Sequence, residues 1–134
     1  MNLIRQVTPF AIVLVLFTGI LLACHHVLLS HMTLHLSAED INGIHVFLFL
    51  ITLISYFIVV KIGSVNKDRV GFAFLGLSFI KMMAAVAYLF PLIKSDDPNL
   101  IVVVSQFMAL YFLYLFFEVI AVYKLLKKLT DEVN

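Results

Sequence analysis

Two residues deep inside otherwise apolar runs of this chain carry formal charge, Lys81 and Glu118. An ion at membrane depth costs at least about 2.5 kcal/mol, so neither should face lipid. If the two runs are antiparallel helices, the depths of these residues differ by roughly 9 Å. Helical side chains lean toward the N-terminus of their own helix, so the two heads converge. Tyr111 and Tyr114 share the Glu118 face at helical spacing, and Ser78 lies one turn before Lys81, within reach of a hydrogen bond. Three chemistries fit: an ion pair that locks two helices, a lysine that snorkels to the surface, and a docking or ion-handling site.

All five histidines, His25, His26, His31, His35 and His45, fall within one short stretch of sequence. Glu39 and Asp40 lie among them. Imidazole and carboxylate are suitable ligands for zinc and similar metals, so His25, His26, His31, His35, Glu39 and Asp40 form a candidate divalent-metal set. Only His31 and His35 show helical i, i+4 spacing, in a segment that need not be helical. Histidines also suit the polar boundary of a membrane, so no cofactor is required to explain them.

Small residues recur on the segment that carries Lys81. Gly71, Ser78 and Ala85 repeat every seven residues, with Gly76 and Ala84 close by. Such residues let membrane helices approach closely. They suit packing within a bundle, and docking of a partner helix would use the same chemistry.

The elements that position these groups are apolar runs. The first spans Pro9 to Leu29, with Thr8 and Pro9 reading as an N-cap and a first helical position. The second spans Ile41 to Ile62, after a Ser37 to Asp40 capping pattern. The third spans Val70 to Ile93, with Asp68 as a cap, and the fourth runs from Leu100 to about Leu126, opened by Asp97 and Pro98. Each reaches the roughly 20 residues needed to cross a hydrocarbon core. The predicted fold is all-α: one integral membrane domain, residues 1–134, forming an antiparallel bundle of four transmembrane helices with short connections. The first run is too long for a secretory h-region, and Ser30-His31-Met32 is a poor cleavage site, so it reads as a retained span.

Composition agrees. Of 134 residues, 63% are hydrophobic and 13% charged, with a mean hydropathy of +1.12. A soluble core of this size could not hide that much apolar surface. The single Cys24 excludes an intrachain disulfide and reads as a small hydrophobe. Phosphate loops, cysteine pairs and nucleophile–base sets are missing, so no enzyme is expected. Basic residues are not gathered on a soluble face, so no nucleic-acid partner is expected either. Instead, Arg5, then Lys61, Lys67 and Arg69, then Lys124, Lys127 and Lys128 fall at one end of the runs. The positive-inside rule therefore places both termini and the 61–69 loop in the cytoplasm.

The stretch Arg69 to Lys81, RVGFAFLGLSFIK, resembles the third helix of the ATP synthase I-protein family (AtpI/UncI). It has a basic start, a glycine, then a lysine in mid-membrane. Helix four, Phe107 through Lys127, also follows that family's apolar run with a polar residue. Another bacterial four-helix family is similar in the same two helices. The likeness covers about half the chain. This sequence departs from the family where an acid usually stands one turn before the lysine: that place holds Ser78, and the acid appears as Glu118. The glycine-to-lysine spacing is one residue longer, and the histidine region has no counterpart.

The resemblance implies a non-enzymatic inner-membrane accessory protein that assists assembly or stability of the synthase rotor ring, with a part in magnesium supply. Its partners would be the lipid bilayer and helices of the ATP synthase membrane sector. The alternative is a small ion or metal transporter using Lys81, Glu118 and the histidines. Four spans enclose little polar volume, so a transporter would have to be a homo-oligomer.

Overall fold

The computed structural model describes residues 3–31, 38–95 and 100–133, and among these it contains helix and no strand. Helix α1 is Leu3–Ser30, α2 is Ala38–Val65, α3 is Val70–Lys94 and α4 is Leu100–Val133, with a 3-10 turn at Lys67–Arg69 before α3. The shortest of the four, α3, has 25 residues, which rise about 37 Å and exceed a hydrocarbon core of about 30 Å. All four are long and apolar enough to cross a membrane.

The helices alternate in direction, as contacts near each end demonstrate. Phe10 of α1 stacks on Tyr56 of α2 at one end, and His25 meets His45 at the other. Gln106 of α4 reaches His25, while Phe117 packs against Phe10. Helix α2 is the central element and packs against each of the other three.

The core is a column of large apolar groups. Leu14, Val59, Val60, Val70 and Phe107 are fully enclosed. Outward, the same helices present Leu16, Ile20, Phe72, Phe79 and Phe116, each more than 60% exposed. A soluble monomer does not expose such continuous apolar faces. With backbone hydrogen bonds satisfied inside each helix, this surface is compatible with lipid.

Several sequence expectations about helix ends are corrected. Pro9 is inside α1, which starts at Leu3. Thr8 is no N-cap, because its hydroxyl donates back to the Ile4 carbonyl, a local bond that threonine makes readily within a helix. Asp68 does not cap α3 either. Its backbone N–H donates to the Asn66 side chain, which caps the preceding 3-10 turn. Ser37, Asp97 and Pro98 lie outside the described residues.

The small residues of α3 also sit differently from a bundle-packing stripe. A Cβ added at Gly71 or Gly76 would meet nothing within 4 Å. Both face outward, because the inward line of α3 is Val70, Lys81, Ala85 and Leu89. Ala85 is buried as packing requires, and Ser78 is half-buried. The close helix approach uses α2 instead. A Cβ on Gly63 would lie 3.0 Å from Val70 and 3.2 Å from Leu129, and one on Gly43 would lie 3.1 Å from the Tyr88 hydroxyl.

Candidate functional site

Lys81 and Glu118 meet inside the bundle. The Lys81 ammonium donates to Glu118 Oε2 and forms an ion pair. Lys81 is 4% exposed and Glu118 is sealed. The convergence follows from antiparallel α3 and α4, whose side chains lean toward each other. Nζ also lies 5.7 Å from the centre of the Phe74 ring, which adds a cation–π contact. The other carboxylate oxygen, Oε1, has no hydrogen-bond partner among the described residues.

The supporting residues distribute themselves otherwise than the spacing suggested. Ser78 donates to the Phe74 carbonyl one turn back, not to Lys81. Tyr111 is buried on the Glu118 side of α4, yet no hydrogen bond joins it to the pair among the described residues. Tyr114 belongs to a second polar group altogether.

That second group is a chain of hydrogen bonds linking α1, α2 and α4. Gln106 Oε1 is 2.8 Å from His25 Nε2. His25 Nδ1 is 3.2 Å from His45 Nε2. His45 Nδ1 is 3.2 Å from the Tyr114 hydroxyl, which is 3.0 Å from Thr18 Oγ1. Neutral imidazole carries one donor and one acceptor, and hydroxyls and amides can reverse or flip. The chain is therefore satisfied with all groups neutral in two opposite senses. In one, protons point from Gln106 toward Thr18; in the other, from Thr18 toward Gln106.

The described members of the proposed metal set, His25, His26 and His31, are not brought together. His25 is turned into the hydrogen-bonded chain, His26 pairs with Asn42 at 3.2 Å, and His31 is exposed at the end of α1. His35 lies outside the described residues, as do the side chains of Glu39 and Asp40. Among the described residues no three His, Cys, Asp or Glu side chains gather as ligands. Cys24 is free and exposed.

Sequence reading missed the inward polar line of α2. His45, Thr52 and Ser55 are all buried, and Ser55 Oγ has no partner among the described residues. The signal was available, because positions 45, 52 and 55 fall on one helical face with Ile41, Leu48 and Val59.

No family model matches the chain, nor does any curated protein or solved structure. Fold and surface together define the class, a multi-pass α-helical membrane protein with its charged groups paired in the interior.

Proposed function

We propose that this chain is a non-enzymatic accessory protein of a bacterial inner membrane, which assists assembly or stability of the ATP synthase rotor ring by docking against its helices. The observation that carries this reading is a contrast within α3. Its inward charge is closed off in a pair with Glu118, whereas its outward face keeps Gly71 and Gly76 uncovered. A sealed pair holds α3 to α4, and uncovered glycines admit close approach by a second helix. The Lys/Arg asymmetry places both termini and the 61–69 loop in the cytoplasm. The resemblance of residues 69–81 to the I-protein third helix supplies the partner. The test is isolation of rotor rings in mild detergent from cells carrying the tagged protein. Co-purification is expected. Absence from the rings, together with unchanged ring yield in cells lacking the protein, would sink the reading.

One observation favours a second reading, a small oligomeric ion transporter. The His25–His45–Tyr114 chain has the composition of intramembrane proton relays. Purified protein in vesicles under a pH gradient decides it. Proton flux above that of empty vesicles, lost in Tyr114→Phe, supports transport, and flux equal to empty vesicles removes it.

A further inference from the structure

At the basic end of the bundle, α1 and α4 part to leave a groove of about 320 Å³. Its floor is Phe10 and Tyr56, both buried. Its walls are apolar, with Val13 on one side and Ile120 on the other. Its mouth is cationic, formed by Arg5 of α1 with Lys124 and Lys128 of α4. Arg5 and Val13 are about 12 Å apart along α1, and Lys128 and Phe117 about 16 Å apart along α4. The charged mouth and the apolar walls are thus stacked along the membrane normal.

Among the described residues none of the three cations is held in an ion pair. Among the described residues the ion pair is Lys81 with Glu118, and Asp131, close to Lys128, forms none. Cations at an interface, above an apolar slot that opens to lipid, match an amphiphile with an anionic head and a hydrocarbon tail. A partner helix would bring an apolar face but nothing for the mouth. A soluble anion would satisfy the mouth and leave the walls unfilled.

We infer that the groove between α1 and α4 binds an anionic phospholipid, its phosphate on Arg5, Lys124 and Lys128 and one acyl chain along Val13, Phe117 and Ile120. This rests on groove shape and charge, independently of any rotor-ring partner.

The experiment is native mass spectrometry of the purified full chain, titrated with phosphatidylglycerol or with phosphatidylcholine of the same acyl composition. Each cation near an anionic headgroup contributes about fivefold in affinity, so a preference of about tenfold or more for phosphatidylglycerol is expected. Arg5→Gln, Lys124→Gln and Lys128→Gln together should bring the preference close to one. All three positions are exposed, so the fold should survive, with a helical circular-dichroism spectrum as the check. A control variant, Lys61→Gln, Lys67→Gln and Arg69→Gln, removes the same charge at the same end and should keep the preference. The inference is overturned if the unmodified protein shows no preference, if the groove variant keeps it, or if the control loses it equally. Displacement of the lipid by excess inorganic phosphate would also overturn it, because the apolar walls would then contribute nothing.

Discussion

His45 of α2 and Tyr114 of α4 face each other across the closed centre of the bundle, 3.2 Å apart, with Tyr114 1% exposed and His45 equally enclosed. Each also has a second partner, His25 for the imidazole and Thr18 for the hydroxyl. Three helices are thereby tied together by polar bonds. In a membrane such bonds fix which helices are neighbours, because lipid offers buried polar groups no other partner.

Removing the hydroxyl should therefore loosen the bundle without unfolding it. Tyr114→Phe should lower stability by about 1 kcal/mol. His45→Leu should cost more, about 2 kcal/mol, because it removes one partner from each of His25 and Tyr114. Denaturation of the purified protein in mixed micelles measures both. Equal stability of all three proteins would show that these bonds do not hold the helices.

Glycines on the two faces of the bundle should respond in opposite ways. Gly63→Leu must push a side chain into Val70 and Leu129, which begin 3.0 and 3.2 Å from the new Cβ, and should cost about 1–3 kcal/mol. Gly76→Leu meets nothing within 4 Å. It should leave the isolated protein's stability within about 0.5 kcal/mol of the original, while lowering recovery with rotor rings. A Gly76→Leu protein that keeps full recovery would remove the outer face of α3 from the docking surface.

Orientation has its own readout. In a Cys24→Ala background, cysteines at Val65 and Asn134 should be shielded from membrane-impermeant thiol reagents in intact cells, and a cysteine at Thr33 should react. Reaction at Val65 with protection at Thr33 would invert the topology, and with it the leaflet that faces the Arg5–Lys124–Lys128 groove.

Much of this was legible in the sequence, for physical reasons. Four apolar runs past membrane length admit few alternatives to four spans, and antiparallel lean was enough to bring Lys81 to Glu118. Helix ends were less legible, since Thr8 can bond back to Ile4 as readily as it can cap. The orientation of the histidines was not legible, because composition does not say which way a ring turns. His25 points inward to His45 and Gln106, while His26, its sequence neighbour, reaches only Asn42. The glycines of α3 were read as helix-packing residues, within the bundle or toward a partner, because spacing names a face without naming its neighbour. In the fold that face is left to lipid or to a partner.

The central claim is that Lys81 and Glu118 form a closed lock, with function residing on the outer surface. A double-mutant cycle with two readouts tests it most directly. Lys81→Met and Glu118→Gln alone should each destabilise the protein, by about 3 kcal/mol for Lys81→Met, because it strands a sealed carboxylate. The double variant should recover at least about 1 kcal/mol relative to the sum of the single losses, and should co-purify with rotor rings as the unmodified protein does. Losses that simply add, or a stable double variant that no longer binds the rings, would contradict the account.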